Sequence, residues 1–406
     1  MNTKQKSGDF QFDLTIETVT RNNMTTTNMQ VETIFRAHFV CWRIMGFLPT
    51  ENYGGLYAVY SILVNVIITI GYPLHLMIGL FMSTTLFEII KNVAVMLTVL
   101  VCSIKTVVTW LKFQNIEIMF DIIRRQNKRI ALAKDESLYI KYESLKRLGQ
   151  ILKLFTILYA AAGVSSELSV LFNGVMGTWS LMYPAYFPFD PYASSTLYIL
   201  AHIYQFAGVS FLILQDIASD SFAAMNLALL SGQLRTLSMR VAKLGTDKKK
   251  GRSENNEELL ECIQDHKDLL QYRHKLEEII SFYMFFQILF TSINMCSTIA
   301  FLILFANDPF TWIYYSVYFL SMAGEIMPVC YYGTIIEIEF QNVTYAIFSS
   351  NWLEQDAIFK KHIRIFAEAT KKPLCIMAWL FHINLSTFVF ACKNAYSMFA
   401  LIMNMK

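Results

Sequence analysis

The feature that most constrains the fold is a series of long apolar segments separated by polar, charged ones. A helix needs about 20 apolar residues to cross the hydrocarbon layer of a bilayer, and residues 56–82 form one continuous run of that kind. Backbone groups find no water inside a bilayer, so a spanning segment has to be an α-helix or part of a closed barrel. Only 16% of the 406 residues are charged, whereas soluble domains carry about 25%. The sequence therefore predicts an all-α membrane protein.

Seven segments are long and apolar enough to be read as transmembrane helices, and Pro73 predicts a kink in the first. The segments between them are helical or charged, and we expect some helices to extend beyond the membrane into a cytoplasmic anchor. The predicted transmembrane helices are residues 56–82, 86–111, 154–176, 196–215, 279–306, 310–336 and 373–405. The predicted organisation is a cytoplasmic N-terminus with an amphipathic interfacial helix (1–55), helices 1–4 (56–241), a cytoplasmic connection and anchor (242–278), helices 5 and 6 (279–336), a cytoplasmic anchor helix (337–372) and helix 7 (373–406).

The distribution of lysine and arginine predicts the orientation. These residues concentrate in cytoplasmic loops, and here they cluster in the first 43 residues and in residues 112–147, 235–275 and 337–372. The alternate loops, near residues 82–86, 173–195 and 306–310, contain none. We therefore expect a cytoplasmic N-terminus and an extracellular C-terminus, the inverse of a G-protein-coupled receptor.

The last predicted helix has a polar stripe. On a helical wheel these polar residues fall within one half-circle, and polar groups at membrane depth usually face protein or water. By itself the stripe leaves two alternatives, packing against neighbouring helices or lining an aqueous path. The stripe consists of Asn384, Ser386, Thr387, Lys393, Asn394, Ser397 and Asn404.

Three stretches give the chain a resemblance to a known family. They are residues 261–266 (ECIQDH) with Leu276, Glu277 and Gln287, residues 347–352 (IFSSNW), and Thr387-Phe388 followed by residues 395–401 (AYSMFAL). With the inverted seven-helix topology, they resemble insect odorant receptors of the ligand-tuning kind.

The resemblance implies a ligand-gated, non-selective cation channel. Such a tuning subunit would assemble with an obligate co-receptor into a heterotetramer around one pore lined by helix 7, in the plasma membrane of olfactory sensory neuron dendrites. Leu401 and Met405 would match the hydrophobic gate, and Asn404 a polar pore residue that is usually Gln. Asn394 and Ser397 would lie on the same wet face. Two apolar groups on a wet face suit a gate that closes by dewetting.

The ligand implied by this reading is a small, volatile, hydrophobic molecule bound in the outer halves of helices 2–6. Pockets for such ligands are apolar and aromatic with a few polar groups. For each aromatic side chain, packing in the core or in a belt at the membrane interface is the alternative. The candidate ligand-binding residues are Asn92, Met96, Ser165, Tyr198, His202, Tyr315, Tyr318 and Met322.

The segment before helix 7 has an apolar face that predicts a subunit contact in the anchor, with contact inside the chain as the alternative. This face includes Trp352, Phe359, Ile363 and Phe366. Glu325, within the sixth helix, predicts a structural hydrogen bond, because a carboxylate inside a membrane is normally paired, and a role in ligand or ion binding is the alternative.

The sequence shows no motif for an enzyme, a cofactor, a metal or a nucleic acid. The expected partners are co-receptor subunits, the odorant, permeating cations and membrane lipid. The alternatives are a G-protein-coupled type of chemoreceptor, a homomeric channel like the gustatory receptors, and a transporter.

Overall fold

The structure, a computed structural model, describes residues 31–47, 54–130, 139–177, 179–306, 308–372 and 374–404. Across these ranges most residues are helical, connecting segments such as 179–194 are irregular, and the strands form one two-stranded hairpin. The helices are α1 (Val31–Ile34), α2 (Arg36–Ile44), α3 (Gly54–Val64), α4 (Tyr72–Met82), α5 (Leu86–Leu111), α6 (Phe113–Ile130), α7 (Leu145–Val175), α8 (Ser195–Ala242), α9 (Arg252–Phe305), α10 (Pro309–Ser349), α11 (Ala357–Thr370) and α12 (Leu385–Asn404), and the strands are β1 (Met377–Ala378) and β2 (Phe381–His382).

Six helical segments of the described chain are long and apolar enough to cross a membrane. They are Gly54–Met82, which joins α3 and α4, together with α5, α7, α8, α9 and α10. This confirms the prediction of a helical, multi-pass membrane protein. The 20-residue α12 is not among these six, so a seventh span remains a prediction.

The first spanning segment changes its helical geometry where proline requires it. A π-helical stretch, Asn65–Gly71, joins α3 to α4, and Pro73 lies in the first turn of α4. Proline has no N–H and its ring displaces the carbonyl four residues earlier, so an α-helical ladder cannot pass through it unchanged. A π-helical stretch therefore precedes Pro73, where the sequence predicted a kink.

Several helices begin at residues whose side chains cap them. Thr85 accepts a hydrogen bond from the backbone N–H of Glu88 at the start of α5, and Asp308 accepts one from Thr311 at the start of α10. Ser194 and Asp356 do the same for α8 and α11. Such caps satisfy backbone donors that the helix leaves unpaired, and they fix the observed boundaries.

The helix α8 passes through two different environments. From residue 215 to residue 241 nearly every side chain is buried, against α2, α6, α7, α9 and α10. From residue 195 to residue 214 burial is restricted to one stripe, and Ile199, Ile203 and Phe206 are more than half exposed. We call the part with exposed apolar helices the spanning region. The compact region is α1, α2, α6 and α11 with the adjoining ends of α8, α9 and α10.

The structure begins the last helix at Leu385, whereas the sequence placed its start at Pro373. Residues 374–384 instead include the β1–β2 hairpin, in which Met377 pairs with His382. Side chains of α9 hold the hairpin, because Glu277 accepts the N–H of Met377 at 2.9 Å and Ser281 accepts that of Trp379 at 2.8 Å. These contacts come from residues about 100 positions away, so no local sequence pattern could predict them.

Candidate functional site

Aromatic side chains from α5, α9 and α10 form a cluster near the ends of these helices. The rings of Phe301 and Tyr315 stack with centroids 4.1 Å apart, and Phe87 lies 5.3 Å from Phe301. Tyr314 lies 4.7 Å from Tyr315. This aromatic cluster offers the apolar surface that a small hydrophobic ligand requires.

A polar trio lies beside the aromatic cluster. The hydroxyl of Tyr318 is 2.8 Å from that of Thr98, and Asn294 donates its side-chain N–H to Thr98 over 2.9 Å. Asn294 is buried, and its side-chain oxygen has no hydrogen-bond partner. A buried acceptor without a donor costs about 1–3 kcal/mol. A ligand that donates a hydrogen bond to Asn294 would therefore gain affinity.

A layer of buried charges crosses the same helices. The ammonium group of Lys105 on α5 lies 2.8 Å from Asp220, 3.0 Å from Glu325 and 3.5 Å from Asp216. Gln287 donates to Asp220 over 3.2 Å and to Glu325 over 2.5 Å. The four charged side chains are at most 8% exposed. We call these five residues, with Tyr159, which donates to Asp220, the ionic layer.

The polar trio and the ionic layer are related by a constant spacing. Thr98 precedes Lys105 by seven residues on α5, and the same spacing separates Gln287 from Asn294 on α9. On α10 it separates Tyr318 from Glu325. Seven residues are two helical turns, about 10 Å. The two polar layers are therefore stacked on the same faces of three helices.

The helix α12 touches this stack at the level of the polar trio and just below it on α10. Met295 on α9, Met322 on α10 and Ala395 on α12 are buried in one cluster, against which Tyr318 and Cys392 pack. Tyr318 and Met322 therefore belong to the same packed group as α12.

A cavity of about 460 Å³ opens between the end of α4, the start of α5 and the segment 180–192. Its volume is within the range of small-molecule sites, about 300–1,000 Å³. Phe87 lines this cavity and also belongs to the aromatic cluster. Glu88 and Lys91 contribute charges to its wall. Phe87 thus separates an open cavity from the packed cluster.

The structure brings together the predicted ligand residues on α10 and separates the others from them. Tyr315 and Tyr318 belong to the aromatic cluster and the polar trio, and Met322 lies under them. Tyr198 and His202 stack on each other, and His202 lies 3.5 Å from Glu167 of α7.

The remaining three ligand candidates have structural contacts of their own. Asn92 donates to the carbonyl of Pro184 over 2.9 Å, which holds the wall of the cavity. Ser165 donates to the carbonyl of Ala162 within α7. Met96 packs against the buried group around Tyr72. None of these three contacts joins the aromatic cluster.

Two of the predicted pore residues, Asn394 and Ser397, are less buried than the alanines through which α12 packs against its neighbours. Ala391 and Ala395 are buried against α9 and α10, whereas Ser397 is exposed and Asn394 half-buried. Leu401 and Asn404 lie in the last turns of α12, and the prediction for Met405 falls outside the described residues.

Three of the predicted anchor residues pack inside the chain itself. Phe359, Ile363 and Phe366 are at most 3% exposed within the compact region, where Phe366 contacts the ring of His266 at 5.4 Å. The expectation of a subunit contact is corrected for these three residues in favour of contact within the chain, because the apolar face of α11 folds onto α9 and α10. Trp352 is half-buried against the same core.

These features define a multi-pass helical membrane protein with a polar, aromatic interior. The model of the 7tm Odorant receptor family matches residues 85–396. The chain belongs to the 7tm odorant receptor family, which confirms the resemblance noted in the sequence.

Similar proteins from one insect match over nearly their whole length. Odorant receptor 59a of Drosophila melanogaster is 33% identical, and odorant receptor 33b is 31% identical. Each alignment covers 92% of this chain and 97% of the relative. The solved structure of the insect olfactory receptor OR5 from Machilis hrabei in complex with eugenol superposes with a TM-score of 0.81 at 18% identity, over 93% of this chain and 99% of that one. The two proteins therefore share a fold.

Sequence reasoning missed the ionic layer as a unit. It singled out Glu325 alone, although Lys105, Asp216 and Asp220 also lie within or beside apolar stretches. Charged residues in such segments usually pair with each other. That signal could have identified the layer, but not which charge pairs with which.

Proposed function

We propose that this chain is the odorant-binding subunit of a ligand-gated, non-selective cation channel that assembles with co-receptor subunits in the plasma membrane. Membership of the odorant receptor family supports a receptor for a hydrophobic odorant. The observation that carries the channel proposal is the buried contact of Met295 and Met322 with Ala395. Through Tyr318, which packs against this cluster, it connects the polar trio to the helix that the resemblance predicts to line the pore.

The proposed odorant site is the aromatic cluster with the polar trio. The odorant enters through the 460 Å³ cavity. It then passes Phe87, whose ring lies at the boundary between this cavity and the aromatic cluster. Asn294 supplies an acceptor, and the hydroxyl of Tyr318 supplies a donor or an acceptor. Odorants with a hydroxyl group would therefore bind more tightly than the matching hydrocarbons.

Opening follows from a change in the packing around Met322. An odorant between Tyr315 and Tyr318 displaces Met322, and the contact with Ala395 shifts α12. A ligand opens a channel only by binding the open arrangement better than the closed one. The predicted constriction, Leu401 and Met405, would separate as α12 moves, with Asn394, Ser397 and Asn404 facing the water-filled path.

The proposal includes seven spans with a cytoplasmic N-terminus and an extracellular C-terminus. The lysine and arginine distribution supports this orientation. It places the compact region in the cytoplasm, where it would serve as the anchor between subunits. Because the inner face of α11 is buried, the proposed subunit contact uses its exposed apolar residues, Ile358 and Ile365, which are 59% and 60% exposed, and the neighbouring Leu353.

The test is whole-cell current evoked by a panel of volatiles, with the chain expressed alone and together with the co-receptor. Fast current from the pair and none from the chain alone is the expected result. Current from the chain alone would favour the homomeric alternative. A response that requires G-protein signalling, with an N-terminal tag stained on intact cells, would favour the receptor alternative.

A matched pair of variants tests the site in the same assay. Tyr318→Phe removes the hydroxyl that faces Thr98, and we expect the half-maximal odorant concentration to rise about 3- to 10-fold, the equivalent of one hydrogen bond. Tyr331→Phe alters a tyrosine on the same helix that is 42% exposed and should leave the response unchanged. Equal responses from both variants would place the odorant elsewhere, with the stacked pair Tyr198 and His202 as the next candidates.

A further inference from the structure

We propose that Glu337, Cys375 and His382 form a binding site for a divalent transition-metal ion of the zinc class, which joins α10 to the hairpin before α12. The carboxylate oxygen, the thiol sulfur and an imidazole nitrogen all lie within 4.8 Å of one another. They come from three separate elements, so their approach is a product of the tertiary fold.

The donor set matches the chemistry of zinc. Zinc is bound by thiolate at about 2.3 Å and by imidazole or carboxylate at about 2.0–2.2 Å, usually in a tetrahedron. These bond lengths put neighbouring donor atoms about 3.3–3.8 Å apart, so a contraction of about 1 Å completes the site. Three protein donors leave a fourth position for water.

The charges of the donors also favour a divalent ion. One carboxylate and one thiolate balance a charge of +2, and the imidazole binds in its neutral form. One oxygen of Glu337 is buried and has no hydrogen-bond partner. Arg273, whose guanidinium donates to the carbonyl of Cys375 over 2.6 Å, is paired with Glu277 at 3.4 Å, which reduces its repulsion of a metal ion.

The backbone around the donors is held in place from several sides. The N–H of Ile383 donates to the carbonyl of Ile376 over 2.8 Å, and the hairpin lies so close to α10 that a Cβ on Gly333 would meet the carbonyl oxygen of Ile383 at 1.9 Å. Gly333 is one turn before Glu337. Preorganised donors lose less entropy on binding, so a site of three protein ligands suffices.

Rotation of the exposed His382 side chain can supply the contraction that closes the metal site. This side chain is exposed, whereas Glu337 and Cys375 are half-buried, so its rotation can close the site without moving the hairpin. Because the hairpin leads directly into α12, a bound ion would tie the start of α12 to α10.

The experiment is a Co²⁺ titration of the purified full-length chain in lipid nanodiscs. Cobalt takes the place of zinc and reports a thiolate ligand by a near-ultraviolet charge-transfer band. We expect this band to saturate at one ion per chain and to disappear on addition of Zn²⁺. No odorant and no co-receptor is needed, so the result is independent of the proposed channel function.

The variants identify the ligands. Cys375→Ser should abolish the thiolate band, and Cys41→Ser, which alters another half-buried thiol, should keep it. Glu337→Gln and His382→Ala keep the thiol and should weaken binding roughly tenfold or more. Folding of each variant is checked by gel filtration. Absence of the band from the unaltered chain, or its persistence in Cys375→Ser, would overturn the proposal. If Cys375→Ser does not fold, the other two variants decide. Unchanged Co²⁺ affinity in both Glu337→Gln and His382→Ala would then overturn the proposal.

Discussion

Two clusters of buried charge, one at the boundary of the spanning region and one within the compact region, are balanced differently. In the ionic layer, which lies where the spanning region meets the compact region, one ammonium group, Lys105, faces the carboxylates of Asp216, Asp220 and Glu325. In the compact region, Asp265 is paired with both Arg129 and Arg240, and Arg129 also lies 2.9 Å from Asp268. The second cluster has matched charges, and the first has an excess of acid.

Water also reaches the charge cluster of the compact region more readily than it reaches the ionic layer. Arg129 is 29% exposed and Glu261, which lies 3.6 Å from Arg240, is 62% exposed, so solvent screens the rim of the compact cluster. The ionic layer is at most 8% exposed, and the surrounding apolar surface of its helices is suited to lipid. An uncompensated charge costs far more in such a setting. Buried ion pairs therefore contribute unequal energies in the two clusters.

The largest effect is expected from Lys105→Met. Removal of the only ammonium group of the ionic layer leaves three carboxylates facing each other, and breaking a buried pair costs about 3–5 kcal/mol. The measurement is the temperature at which the purified chain loses its monodisperse gel-filtration peak. Lys153→Met, which alters an exposed lysine on α7, is the matched control and should behave like the unaltered chain.

A second substitution sharpens this result. Adding Asp220→Asn to Lys105→Met removes one of the carboxylates and should recover part of the lost stability, because the two residues share one network. If Lys105→Met proved as stable as Lys153→Met, the ionic layer would not differ from an exposed ion pair, and the comparison would fail.

A smaller effect is expected from Asp265→Asn in the compact region. The substitution keeps the shape of the side chain but removes the charge that Arg129 and Arg240 share, a loss of about 1.5–3 kcal/mol for hydrogen bonds to a charged group. Glu261→Gln, at the exposed rim, should change stability by less than about 1 kcal/mol. The same thermal assay applies. If Asp265→Asn lost more stability than Lys105→Met, the compact cluster rather than the ionic layer would contribute the larger energy.

The smallest effect concerns pH and His38 of α2. Burial lowers the pKa of His38 to about 3, and its Nε2 lies 2.8 Å from the hydroxyl of Ser221, next to Asp220 on α8. The unfolded chain binds a proton near pH 6.5, whereas the folded chain does not, so stability is complete above pH 6.5 and decreases as the pH falls. The loss should be about 0.8 kcal/mol at pH 6 and about 1.4 kcal/mol at pH 5.5.

The measurement is the change in thermal midpoint between pH 7 and pH 5.5. His38→Gln should flatten this dependence, because it keeps a hydrogen-bonding group for Ser221 without a titratable ring. His274→Gln, at a side chain that is 63% exposed, should leave it unchanged. An unaltered slope in His38→Gln would show that water reaches this part of the compact region.

Much of the fold could be predicted from local pattern. The apolar run 86–111 has the same limits as α5, and the predicted block of helices 1–4 ends at residue 241, one residue from the observed end of α8. These elements are long and strongly apolar, and length and composition are properties that a sequence shows directly. The same patterns, with the resemblance, identified the family.

The candidate site could be predicted only in part. The i, i+3, i+7 spacing of Tyr315, Tyr318 and Met322 placed them on one face of a helix, and the structure keeps them together. The spacing could not show that α5 and α9 supply Thr98 and Asn294 to that face. Nor could it show that Tyr198 and His202 lie against α7 instead.

The sequence by itself determined that this chain is a helical membrane protein of the odorant receptor family, because apolar length, charge distribution and short motifs are local. Tertiary structure decided which polar groups meet. Lys105 and Glu325 are 220 residues apart, and Glu337, Cys375 and His382 follow no metal-binding spacing. It also decided that the last helix begins at Leu385, because Glu277 and Ser281 accept the backbone N–H groups of a hairpin. Contacts between distant residues depend on how helices pack, and packing exists only in the folded chain.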